Sequence, residues 1–202
     1  MQHPAFFNEV RSITLYDPLA ALLGAAEGGI IEYCYGDAVK FAGHSCPTVA
    51  GIYLATSKAL ERLYPDSGAL PERGAIKVAF REHVTSGVTG VMSNIVSLIT
   101  GATQGSGFKG IGGKFDRRNL LLFNAAIGGE MRFERTDNGA AVLVAYHPEL
   151  VPPDPALKEL MPLVLSGAAS DEEKKEFGRL WQDRVKRILI DQADDPGLVV
   201  LS

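Results

Sequence analysis

Cysteine is scarce in this chain of 202 residues: two thiols, Cys34 and Cys46, stand beside four histidines and one tryptophan. Two cysteines in a chain this long do not make a disulfide scaffold. Positive charge is also short. Lys and Arg number 20 against 24 Asp and Glu, a net charge of −4. That leaves no electrostatic footprint for nucleic acid and no basic surface for a membrane. The N-terminal residues lack a basic region followed by a long apolar run, the pattern of an export signal, so the cytoplasm is the default expectation. From Val84 to Phe108 charge is missing altogether, and histidine with it. A membrane span needs about 20 predominantly apolar residues. This run is broken by glycines, serines, threonines, Asn94 and Gln104, so a buried helix followed by a loop is expected instead.

What remains is an ordinary globular composition, 46% hydrophobic and 22% charged, in a chain long enough for a sizeable core. Asp17-Pro18 predicts a helix start, with Gly28-Gly29 as its stop. Ile30 to Tyr35 reads as a strand turning at Gly36-Asp37 into Ala38–Ala42, a hairpin that would leave Cys34 near its turn. Residues 47–64 predict a helix with Val49, Ile52, Tyr53, Leu60 and Leu63 on one stripe and Gly51 allowing close approach. A turn-rich connection over 66–74 leads to a strand over 75–81. A helix capped by Thr85 or Ser86 and stopped by Gly101 follows. Strands are expected over 119–124, 130–135 and 140–146, the last two joined at Asp137-Asn138-Gly139. After the proline-rich stretch 147–155 come two helices. Asp154-Pro155 starts one, and a Ser170/Glu173 capping box starts the other. The pattern is α+β: a largely antiparallel sheet packed against helices in a core over 1–150, with a helical C-terminal extension over 151–202.

The sharpest chemical signal is Ala42-Gly43-His44-Ser45-Cys46-Pro47. Cys46 occupies the slot before proline that Asp17 and Asp154 hold at two other helix starts. Free N–H groups and partial positive charge at a helix mouth favour a thiolate, and a thiolate is what zinc takes. His44 lies two residues away. One His and one Cys make half of a tetrahedral site, so further ligands must come from His83, Glu82, His147, Cys34 or a partner chain. The hairpin disfavours Cys34. The plain alternative is a buried thiol that merely packs. The same pair, with His44 or His83 as base, could form a nucleophile, although no cysteine-hydrolase signature surrounds it.

Residues 105–110 match GxGxxG letter for letter. The dinucleotide fingerprint needs strand, loop, then helix; this loop follows a helix and leads into strands, so that reading is rejected. With Lys109, Lys114, Arg117 and Arg118 near it, the loop could cradle an anion, or be a flexible connection with a basic rim. Glu82-His83 and Asp116 are weaker candidates for acid–base work, and Trp181 belongs to a core or subunit-contact stripe.

Gly43-His44-Ser45-Cys46-Pro47, the helix with Gly51, the strand and buried helix after it, and Ile-Thr-Gly-Ala-Thr-Gln-Gly at 99–105 resemble the E-subunit family of formylmethanofuran dehydrogenase. That family carries Gly-His-x-Cys-Pro-Gly and, later, Thr-Gly-Cys-Thr with a glycine- and lysine-rich continuation. The likeness spans residues 40–124. It implies an α+β core, a homodimer and a metal-associated groove in which His44 and Cys46 match the motif. Departures are plain. Ala42 stands where a second His often precedes the motif, Thr48 replaces Gly, Ala102 replaces Cys, and Val91 and Asn94 replace a further Cys and an acid. No cysteine follows Cys46, so the ligands of the family's C-terminal zinc finger are not present. The resulting expectation is a cytoplasmic homodimer with zinc at His44, Cys46 and His83, in an accessory or redox-related role, alone or with dehydrogenase-complex partners. A metal-independent module holding an anionic or pterin-like small molecule with Lys109 and Arg117 is the second reading. A Cys46-dependent enzyme is the third.

Overall fold

The computed structural model describes residues 3–65 and 68–202. Met1 and Gln2 lie outside the described residues, as do Asp66 and Ser67 of the connection expected over 66–74.

Alternation sets the first pairing. In β1 (Ile13–Tyr16), Ile13 and Leu15 are buried while their neighbours are half-exposed. β1 pairs antiparallel with β2 (Ile30–Tyr33), Ile13 opposite Tyr33. The hairpin expected from 30 to 42 does not form. Residues Tyr35–Ala42 are helix α2, because Cys34 and Asp37 form a capping box. Asp37 Oδ2 accepts the Cys34 N–H at 3.1 Å, and Tyr35, Ala38 and Val39 bury at helical spacing. Helical period therefore outweighed the Gly36-Asp37 turn signal.

Helix α1 (Pro18–Leu23) is capped by Asp17, which accepts the Leu19 and Ala20 N–H groups at 2.9 and 3.1 Å. It ends at Gly24, φ +67°, ahead of the expected glycine pair, since a left-handed residue closes a helix at little cost only when it is glycine. α3 (Pro47–Leu63) follows its expected bounds and buries its predicted stripe. β3 (Ile76–Phe80) feeds α4 (Thr89–Thr100), which starts after Val88 with no side-chain cap and stops at Gly101. Neither Thr85 nor Ser86, the expected caps, stands at its start, and Thr85 turns instead to His83.

β3 joins β4 (Leu121–Leu122), at one edge, and three later strands in a five-stranded sheet. β5 (Met131–Arg135), β6 (Ala141–Tyr146) and β7 (Val199–Leu201) run antiparallel in sequence along it; only the β3–β4 pair is parallel. α3 packs on β6 beside α4. The C-terminal helices α5 (Leu157–Ser166) and α6 (Asp171–Lys186) pack on each other, α6 starting at the predicted Ser170/Glu173 box. A π-helical turn, Arg187–Asp191, carries the chain back against α3. The fold is α+β, a mostly antiparallel sheet packed with helices. No helix among the described residues is long and apolar enough to cross a membrane.

One close contact shapes the site. At Gly51 an added Cβ would lie 2.1 Å from the Tyr146 ring, so only glycine lets β6 lay that ring against α3. Away from the site, Asp17 binds Arg73 at 3.1 Å and Arg117 at 2.8 Å. Arg73 also donates to the Leu98 and Ile99 carbonyls at the end of α4. This buried ionic knot fastens α1, α4 and the glycine-rich segment together.

Candidate functional site

Cys46 is the N-cap of α3, and its Sγ accepts the Val49 N–H at 3.5 Å. His44 Nδ1 lies 3.0 Å from the Ala42 carbonyl. A carbonyl only accepts, so in the neutral ring Nδ1 carries the proton and Nε2 keeps its lone pair. Between the two, Ser45 is clamped by α6. Trp181 Nε1 and Gln182 Nε2 donate to its carbonyl at 3.0 and 3.2 Å, and its Oγ donates to Gln182 Oε1 at 2.9 Å. With that proton committed, the buried Tyr35 hydroxyl donates to Ser45 Oγ, 2.9 Å away. The turn is thus held from both sides, and helix α6 sets where His44 and Cys46 stand.

Both residues line one cavity of about 550 Å³, within the ordinary range for small-molecule sites. Pro47, Val88, Met92 and Trp181 give it apolar walls; Glu130, Tyr146 and Arg184 bring polar groups. Burial raises the Glu130 carboxyl above its ordinary pKa, while a bond from the Tyr146 N–H at 3.2 Å opposes the rise. Burial also pushes the Tyr146 phenol up; its hydroxyl donates to the Pro47 carbonyl at 3.0 Å. Arg184 is pulled below its ordinary pKa, first by burial. Its Nε and Nη2 donate to the carbonyls of Val151 and Pro148 at 2.6 and 3.0 Å.

The other sequence candidates lie elsewhere. His83 is exposed, outside the cavity wall, and its Nδ1 accepts the Thr85 N–H at 3.2 Å. In the neutral ring its Nε2 therefore carries the proton, the opposite arrangement to His44. Glu82 pairs with Arg81 and His147 with Glu149, near the surface. Cys34 is exposed, and its thiol donates to Asp37 at 3.2 Å. It stands at the cap of α2 and not on a strand. Lys109 is exposed, whereas Arg117 is 5% exposed and held by Asp17. The glycine-rich segment is cross-tied: Arg117 N–H bonds the Phe108 carbonyl at 2.8 Å, and Thr103 donates to the Arg117 carbonyl at 2.7 Å. Asp116 grips Arg118, which holds its carboxyl down to about 2.

Sequence reasoning passed over Glu130, Tyr146 and Arg184. Arg184 had a signal: it sits three residues after Trp181 and four before Ile188, a charge inside the apolar stripe of α6. Glu130 and Tyr146 had none.

His44 and Cys46 offer two metal donors. A catalytic zinc takes three protein ligands and a structural one four. No group of three or more His, Cys, Asp or Glu side chains that could hold a metal is found among the described residues. The described residues of one chain do not by themselves complete a zinc site.

A cavity on an α+β scaffold that joins apolar walls to an imidazole, a thiol, a carboxyl and a guanidinium has the make-up common to small-molecule sites. The family comparison narrows that class. Residues 41–195, well over half the chain, match the family FmdE, described as molybdenum formylmethanofuran dehydrogenase operon. The chain belongs to that family. No curated protein and no solved structure matches it.

Proposed function

We propose that this chain is a protein resembling the E-subunit of formylmethanofuran dehydrogenase, with an accessory or redox-related role in the cytoplasm. In this reading His44 Nε2 and Cys46 Sγ supply two ligands of a zinc site that donors from outside the chain close, in the first place a second copy in a homodimer. The observation that carries the reading is the state of the pair. His44 spends Nδ1 on its own backbone and keeps Nε2 for a ligand, and Cys46 faces the same cavity from a helix mouth. The family description, tied to a molybdenum dehydrogenase operon, supports a place beside such an enzyme.

Metal analysis of protein purified without an affinity tag tests it, together with sedimentation to read the oligomer. The expected result is zinc in fixed ratio to the native chain and its loss in His44→Ala and Cys46→Ser. Less than about 0.2 metal per chain after incubation with zinc would sink the reading.

A further inference from the structure

Arg184 stands apart from the other arginines of this protein. Of the eleven, nine have a carboxylate within ion-pair distance. Among the described residues the two without one are Arg62, exposed on α3, and Arg184, half-buried in the cavity wall. A guanidinium drawn out of water without a counter-charge costs free energy. Its Nε and Nη2 are fixed on two backbone carbonyls, which hold the plane of the group but do not neutralise it. Among the described residues neither N–H of Nη1 meets an acceptor. Glu130 shares the cavity yet makes no ion pair with Arg184.

We propose that the cavity takes a small planar organic monocarboxylate, its charge held by Arg184 and its flat body laid along Trp181, Val88 and Met92. The anion expected near Lys109 and Arg117 would then belong to a different part of the molecule. A single unpaired guanidinium matches a single negative charge, and Glu130 on the same wall disfavours a doubly charged phosphate. Trp181 is pinned by its bond to Ser45 and stacked on Phe177 at 5.7 Å, so the wall it contributes is preformed. The proposal rests on this cavity being the functional site and is independent of zinc.

Trp181 is the only tryptophan in the chain, so its fluorescence reports on this cavity alone. The test titrates the full chain with benzoate, with its uncharged isostere benzamide and with inorganic phosphate. Benzoate should give a saturable change with an affinity at least about tenfold above that of benzamide or phosphate. Arg184→Gln should erase the gap between benzoate and benzamide, and Arg184→Lys should keep part of it. If Arg184→Gln does not fold, the contrast in the native chain and in Arg184→Lys still decides. Equal responses to benzoate and benzamide, a stronger response to phosphate, no saturation, or a gap that survives in folded Arg184→Gln would each overturn the proposal. Zinc content measured on the same samples keeps the two readings apart. Zinc bound without a benzoate gap removes only the carboxylate, and a gap without zinc removes only the metal.

Discussion

Asp17 and Cys46 hold equivalent positions, each the N-cap of a helix with proline directly after it. Their surroundings diverge. Asp17 is 3% exposed and accepts from Leu19, Ala20, Arg73 and Arg117. Cys46 is half-buried, accepts one long bond from Val49 and borders a cavity. The arginines show the same division. Arg73 and Arg117 close on Asp17, while Arg184 meets only carbonyls. One region uses its polar capacity on itself and so fastens the fold. The other keeps capacity unspent on the wall of a cavity, where a ligand can use it. A cap motif alone does not say which will happen; the neighbours brought by the fold do.

The comparison breaks or sharpens under substitution. The largest effect is expected at the closed end. Asp17→Asn keeps a capping side chain but leaves two guanidinium groups without their shared counter-charge, a loss of about 3–5 kcal/mol in urea denaturation. The pH dependence has a definite sign. Burial raises the Asp17 carboxyl, but the Ala20 N–H and the Arg117 and Arg73 guanidinium groups outweigh it and hold the pKa below 3.8. A native pKa below the unfolded value gives stability that is fully present above 3.8 and is lost as pH falls through the native value. Urea midpoints of the native chain and Asp17→Asn should therefore converge on acidification. A gap that stays constant into strong acid would show that the charge is not what Asp17 contributes.

Gly51→Ala comes next. Its methyl would collide with the Tyr146 ring, so about 1–3 kcal/mol of stability should go, with a change in Trp181 fluorescence as the cavity wall moves. Thermal unfolding and emission spectra check both; an unchanged spectrum would detach Tyr146 from the cavity's shape. The smallest effect is expected at the open end. In metal-free protein Cys46→Ser puts a common capping residue in place of a weak acceptor, so stability should shift by less than about 1 kcal/mol. A loss as large as that of Asp17→Asn would erase the distinction between the two caps.

Much of the frame was legible in the residues. The Asp17 cap, α3 with its stripe, the Gly101 stop and the Ser170/Glu173 box follow from local rules, because each is decided within a few residues. The segment 30–42 was not legible in this way. Two turn-forming residues suggested a hairpin where a capping box and a buried helical face prevailed. β1 and β7, four and three residues long, are too short to show a period.

By itself, the sequence determined the class of fold, the family and the His44–Cys46 pair at a helix mouth. All of these rest on spacing along the chain. Tertiary structure alone decided which charges would be spent. Arg117 looked like a ligand contact beside a basic loop until Asp17, one hundred residues earlier, closed on it. Arg184 drew no notice in the apolar stripe of α6, and only the fold puts it on a cavity wall. A charge is neutralised by whatever the fold brings within a few ångströms, and distance along the chain says nothing about that.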